Sequence, residues 1–128
     1  MKKIVAIIFL LSFLVISSAG CSSKTDPAQT VVQYLDALEN QDADAAVALA
    51  CAEWEEQARL QVDSFLSVGV TLNNVQCQTS SQGDEEALVN CTGSIDMTYD
   101  EEVRSIDLST RTYTLGYQSG EWLICNFE

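Results

Sequence analysis

Apolar side chains recur every three or four positions through the second quarter of the chain, which is the spacing of amphipathic helices. Over residues 27–39 this pattern follows Asp26-Pro27, an N-cap residue and then a residue preorganised for a first helical turn. A polar break at residues 40–42 precedes an alanine-rich second helix, which we predict from Ala43 to about Ala52. A third predicted helical stretch, Trp54 to Leu66, either continues the second helix or bends away from it.

Beyond Gly69 the apolar period shortens to two residues, which is typical of half-buried antiparallel strands. We expect a bulge at Asn73-Asn74 in the first strand and a turn at residues 82–85 after it. A polar interruption at residues 109–112 predicts a bulge or kink in the third strand. The four predicted strands cover residues 70–79, 89–99, 103–117 and 121–127. Helices followed by an antiparallel meander predict an α+β domain.

The first 20 residues have the pattern of an export leader. Lys2 and Lys3 precede a 13-residue apolar run at positions 4–16, too short for a bilayer-spanning helix of about 20 residues. Small residues then lead directly to Cys21. This segment resembles the lipobox of bacterial lipoproteins. The resemblance implies cleavage before Cys21, diacylglyceryl attachment to its sulfur and, in many bacteria, acylation of the new amino group. The alternative is an ordinary secretory signal with Cys21 there by chance.

The predicted organisation is therefore a signal peptide (1–20), a lipidated polar tether (21–25) and one domain (26–128). Such a protein would lie in the cell envelope, on the outer side of the cytoplasmic membrane or on the outer membrane, and would contact the membrane through its lipid. After leader removal, four cations stand against 19 carboxylates, so the net charge is −15. This charge repels phosphate backbones, and we expect no nucleic-acid partner.

The cysteines predict disulfides rather than a metal site. The chain has no histidine and no C-x-x-C pair, so we expect no zinc module, no Ser-His or Cys-His nucleophile pair and no cofactor. Beyond Cys21 an even number of cysteines remains in an exported domain, which favours two bridges among three possible connectivities. Cys77 and Cys91 flank the predicted turn at matching distances, and their pairing leaves Cys51 with Cys125.

The order of elements carries a family resemblance. Asp26-Pro27 with the apolar residues of the first helix, then Asn40-Gln41-Asp42 before Ala45, resembles the first two helices of nuclear transport factor 2-like domains. The segment from Ser119 to Cys125, with Gly-x-Trp-x-Ile, is similar to their last hairpin. The resemblance implies a cystatin-like cone, in which a curved four-stranded antiparallel sheet wraps a long helix and leaves a pocket. Enzymes, ligand binders and dimerising scaffolds share this fold, so the resemblance does not choose a function.

Candidate site residues follow from the implied pocket. Some enzymes of the resembled fold use a pocket carboxylate as a base, and Asp96 and Asp107 lie on predicted strands. Both alternate with apolar neighbours, so we expect them on the solvent face. Aromatic residues could line the pocket and donate hydrogen bonds, although such spacing is more often that of a core. The candidate pocket residues are Tyr34, Trp54, Tyr99 and Tyr113, with Trp122 as a further aromatic candidate.

Acidic clusters near residues 53–56, 84–86 and 100–102 match no calcium loop, and we interpret them as solvated charge. The leading hypothesis is a non-catalytic, lipid-anchored envelope domain that binds a protein partner or a small ligand through the cone or the exposed sheet. The alternative is a small-ligand-binding or isomerase/cyclase-like enzyme with a pocket carboxylate. A cone filled by Trp and Tyr side chains favours the first, and an open cone with a buried carboxylate favours the second. Homodimerisation stays open.

Overall fold

A computed structural model describes residues 25–128. Cys21 and the leader lie outside the described residues. Three helices precede an antiparallel sheet, so the predicted α+β order is confirmed. The elements are α1 (Pro27–Glu39), α2 (Ala43–Ala48), α3 (Glu55–Asp63), β1 (Gly69–Gln82), β2 (Glu86–Tyr99), β3 (Glu102–Asp107), β4 (Thr112–Gln118) and β5 (Glu121–Phe127), with 3-10 turns at Ala52–Trp54 and Leu108–Thr110. Within this described part, no helix combines the length and the apolar character that crossing a membrane requires.

Helix α1 begins and ends where the sequence predicts. The Asp26 carboxylate accepts a hydrogen bond from the Ala28 amide at 3.0 Å, which satisfies one of the free N–H groups of the first turn. The Asp42 carboxylate caps α2 in the same way, since the Ala45 amide donates to it at 3.0 Å. One face of α1 is buried against the sheet through the side chains of Val31, Tyr34, Leu35 and Leu38.

Helix α2 ends at Ala48, four residues earlier than predicted. The chain next to it pairs with the last strand: the Cys51 amide donates to the Ile124 carbonyl and the Ile124 amide donates to the Leu49 carbonyl, both at 2.8 Å. These hydrogen bonds with β5 replace those that a longer helix would make. The third helical stretch is a 3-10 turn followed by α3, and therefore does not continue α2.

The sheet has five strands in place of the four predicted. The order is β1-β2-β4-β5, and β3 also pairs with β2. Strands β3 and β4 follow each other along the same edge of β2, opposite residues 94–99 and 86–90 respectively. Between them the Asp107 carboxylate accepts hydrogen bonds from the Ser109 amide and hydroxyl and caps a 3-10 turn. The expected kink in the third strand is thus a complete break.

The expected bulge in β1 is present. The β1–β2 register shifts between Asn73 and Gln76, so that two residues of β1 stand opposite Gly93. Gly93 has φ +93°, and a Cβ atom at this position would lie 2.5 Å from the Asn73 carbonyl oxygen. Glycine is therefore required here both for its conformation and for its small size.

The two faces of the sheet differ. On the inner face, the helices cover a fully buried core that includes Val89, Ile95, Leu115 and Ile124. Cys77 and Cys91, directly paired across β1 and β2, form one disulfide, and Cys51 and Cys125 form the other. These are the pairs that the spacing favours. The outer face has no covering layer among the described elements.

Candidate functional site

An aromatic cluster fills the interior of the cone between α1, the turn before α3 and the strands β4 and β5. The ring centroids of Tyr34 and Trp54 are 5.7 Å apart, as are those of Trp54 and Phe127 and those of Tyr113 and Phe127. The side chains of Tyr34, Trp54 and Tyr113 are each at most 8% exposed. The rings therefore occupy the space in which a cone-shaped domain could hold a ligand.

Polar side chains border this aromatic cluster. The Tyr34 hydroxyl donates to the Gln61 side-chain oxygen at 2.5 Å. The Arg111 guanidinium lies 4.6 Å from the centre of the Phe127 ring, within range of a cation–π contact. Burial raises the pKa of Tyr34 above its ordinary value, an effect that nearby Tyr113 increases and Arg111 opposes. Burial also raises the pKa of Tyr113. Both phenols stay neutral at physiological pH.

The structure brings together three of the four predicted pocket residues. Tyr99 is the exception, since it lies at the end of β2 and is 43% exposed. The further candidate Trp122 belongs to the core and packs 5.1 Å from Tyr117, centre to centre. Sequence reasoning missed Phe127 and Arg111. The only signal for them was their position in or beside the last two strands.

The candidate bases lie outside the cone. Asp96 is on the outer face of β2, where the Ser105, Ser94 and Asn73 side chains donate to it at 2.6, 2.8 and 3.3 Å. These hydrogen bonds hold its pKa below the usual range, with Ser105 the largest contributor. The pKa of Asp107 is lowered by the Ser109 hydroxyl and amide. Both carboxylates are exposed or partly exposed, as expected, and are poor proton acceptors.

In the described part of the chain, the possible metal ligands are either bonded in a disulfide or exposed to solvent. Cys51, Glu53 and Cys125 offer ligand atoms within 4.8 Å of one another, but the two sulfurs form a disulfide and cannot bind a metal as thiolates. The clusters near residues 84–86 and 100–102 lie at the first two of the three β-hairpin turns, and their side chains are exposed.

The outer face of the sheet is a second candidate site. Gln76 stands opposite Thr92, and Gln78 stands opposite Asn90, with the Cys77–Cys91 pair between them. These four outer-face side chains are exposed and, with the two cysteines, line a depression of about 270 Å³. Asn90 also donates to the Thr112 hydroxyl of β4 at 2.9 Å, which extends the polar surface across a third strand.

Solved structures share this arrangement of helices and curved sheet. An NTF2-like protein with a cystatin-like fold from Novosphingobium aromaticivorans superimposes with a TM-score of 0.57 at 10% identity, over 79% of this chain and 76% of that chain. A ketosteroid isomerase-like protein from Erwinia carotovora atroseptica gives 0.57 at 14% identity, over 77% and 88%. The fold is that of nuclear transport factor 2-like domains.

A third NTF2-like structure, a protein of unknown function from Shewanella oneidensis, matches with a TM-score of 0.51 at 14% identity, over 77% of this chain and 91% of that chain. Identities this low establish the fold alone. The sequence matches no family model and no curated protein. The function of this domain must therefore be inferred from its own residues.

Proposed function

We propose that this chain is a non-catalytic, lipid-anchored cell-envelope protein whose NTF2-like domain binds a partner through its surface. The observation that carries the proposal is the aromatic filling of the cone by Tyr34, Trp54, Tyr113 and Phe127. A ligand in the cone would have to displace the rings of Tyr34, Trp54 and Tyr113, which are at most 8% exposed. Removing a large aromatic side chain from a core costs about 3–5 kcal/mol, which a small ligand would have to supply.

The chemistry of the filled cone also favours binding over catalysis. An isomerase-like reaction in this fold needs a carboxylate base beside the substrate, with donors that stabilise the developing oxyanion. Here the Tyr34 hydroxyl already donates to Gln61, and Tyr113 is only 1% exposed. The candidate bases Asp96 and Asp107 lie outside the cone, and their depressed pKa values weaken them as bases.

Lipid anchoring rests on the sequence before the domain. The lipobox-like segment ends at Cys21, and the first described residue, Thr25, is four positions further on. Even a fully extended tether of this length spans only about 14 Å. The proposed lipid would therefore hold the domain close to the membrane surface, with the start of α1 as the nearest secondary structure.

The anchoring test is metabolic labelling with an alkyne-tagged fatty acid in a bacterial host, followed by detergent-phase partition. We expect the wild-type protein to carry the label and to enter the detergent phase. Cys21→Ala should lose both properties, and Ser22→Ala, the matched control next to it, should keep them. An unlabelled wild-type protein, or equal labelling of Cys21→Ala, would refute lipid anchoring at Cys21.

A further inference from the structure

Three neighbouring strands of the sheet carry almost no charge in a strongly acidic protein. Strands β1 and β4 contain no Asp, Glu, Lys or Arg, and β2 contains only Glu86 and Asp96. The chain has 19 acidic residues, so the other 17 lie off these three strands. Acidic residues are instead frequent on the helices, in the hairpin turns and at the ends of strands.

The outer face of these strands is mainly an array of hydroxyl and amide groups, interrupted by Leu88 and Gly116 between Asn90 and the start of β2. Its members alternate with the buried residues along each strand and are Thr71, Asn73, Gln76, Gln78, Asn90, Thr92, Ser94, Thr98, Thr112 and Thr114. Glu86 lies on the same face at the start of β2, and the carboxylate within the array, Asp96, already accepts hydrogen bonds from three side chains. Its charge is therefore partly satisfied inside the protein, and the array offers mainly neutral donors and acceptors.

The composition of this face argues against a second protein chain as its partner. Protein interfaces have an apolar, often aromatic centre, because the burial of apolar area drives association. The depression at the centre of the array is walled by Gln76, Gln78, Asn90 and Thr92. A partner for such a surface must gain its binding energy from many uncharged hydrogen bonds.

We infer that the outer face binds an uncharged glycan whose sugar rings carry hydroxyl and N-acetyl groups, with one ring seated in the depression between Gln76, Gln78, Asn90 and Thr92. Side-chain amides can donate to and accept from both groups. The depression has a volume of about 270 Å³, which is large enough for a single ring. The net charge of −15 after leader removal would repel an acidic polysaccharide. This inference rests on the proposed binding function, because it names the partner.

The test is a titration of the ¹⁵N-labelled mature Cys21→Ser chain with chitotetraose, an uncharged tetrasaccharide of N-acetylglucosamine, followed by NMR. We expect saturable shifts of the side-chain amide signals of Gln76, Gln78 and Asn90. A few exposed hydrogen bonds predict half-saturation near 1 mM. An oligogalacturonate of the same length should produce no such shifts, because it is anionic.

Two variants and one control make the titration decisive. Gln78→Ala and Asn90→Ala should each weaken binding about tenfold, since each removes a wall of the depression. Gln57→Ala removes an exposed amide from α3 and should leave binding unchanged. The absence of shifts at about 10 mM chitotetraose, or equal binding of the galacturonate, overturns the glycan inference alone. Saturable shifts centred on Tyr34, Trp54 and Arg111 would place the ligand in the cone and overturn the proposed function as well.

Discussion

The inner and outer faces of the same sheet differ in composition and burial. The inner face presents Val89, Ile95 and Tyr113 to the helices, and these side chains are at most 1% exposed. The outer face presents Asn90, Thr92 and Thr114 in the alternate positions of the same strands. In a fold whose cone can serve as a pocket, this chain uses the cone as core. The difference between the faces supports the proposal that this protein binds its partner through the outer face.

The largest expected difference in stability is between substitutions at two adjacent residues, one on each face of the sheet. Tyr113→Ala should lower the free energy of unfolding by about 3–5 kcal/mol, because it leaves a cavity beside Phe127. Thr114→Val keeps the shape and strand propensity of an outer-face residue and should change stability by less than about 1 kcal/mol. Urea unfolding measures both. Similar losses in the two variants would break the distinction between the faces.

The two disulfides should contribute unequally to the free energy of unfolding. The Cys51–Cys125 bridge has a sequence separation of 74 residues and joins the helical layer to β5, whereas that of Cys77–Cys91 is 14. In the loop-entropy model, replacing the first pair by alanines costs about 4 kcal/mol and replacing the second about 3 kcal/mol. Urea unfolding of the two double-alanine variants at the same pH checks which bridge stabilises the domain more. A reducing agent that cleaves both bridges without lowering the melting temperature would contradict this contribution.

The bulge that shapes the sheet next to the depression should be sensitive to a single methyl group. Gly93→Ala places a Cβ against the Asn73 carbonyl and requires a left-handed φ, so we expect a loss of about 1–3 kcal/mol. Gly83→Ala in the hairpin turn is the matched control, because its Cβ would make only ordinary contacts at 3.5 Å. If thermal melts show equal stability for the two variants, the bulge does not constrain the sheet.

The buried tyrosines predict a smaller effect, confined to alkaline pH. The pKa values of Tyr34 and Tyr113 are raised in the folded state, so above pH 10 the unfolded chain loses protons that the native protein keeps. The contribution of these raised pKa values to the free energy of unfolding is fully present below pH 10. Above pH 10 it decreases by about 1.4 kcal/mol per pH unit for each tyrosine.

Tyr34→Phe should reduce this alkaline slope by the share of one tyrosine. Tyr99→Phe, which alters an exposed ring at the end of β2, should leave the slope as in the wild type. Urea titrations at several pH values between 9 and 11.5 measure it. A wild-type slope that Tyr34→Phe does not change would mean that this hydroxyl is not held neutral in the core.

The order of elements and the caps could be predicted from sequence because they depend on local patterns. Asp26 and Asp42 cap helices directly before apolar periods, and the bulge at Asn73-Asn74 interrupts an otherwise regular alternation. The early end of α2 could not be predicted. It depends on hydrogen bonds between Cys51 and Ile124, which are 73 positions apart.

The composition of the aromatic cluster was only partly predictable for the same reason. A register shift between Thr114 and Leu115 brings Phe127 opposite Tyr113, and no pattern within β5 itself indicates that shift. Tyr99 shares the parity of buried residues on β2, yet it lies beyond the end of the helical cover and remains exposed. Alternation predicts which face a residue is on but not how far the covering layer extends.

The filling of the cone by aromatic side chains is tested most directly by the intact mass of the mature Cys21→Ser protein. The protein is exported to an oxidising compartment, and its mass is recorded under native and denaturing conditions. A filled cone predicts a native mass equal to that of the polypeptide with two disulfides, as a monomer or a multimer, with nothing released on denaturation. A co-purified small molecule that is released on denaturation, and that Trp54→Ala no longer retains, would contradict the account and identify the cone as a binding pocket.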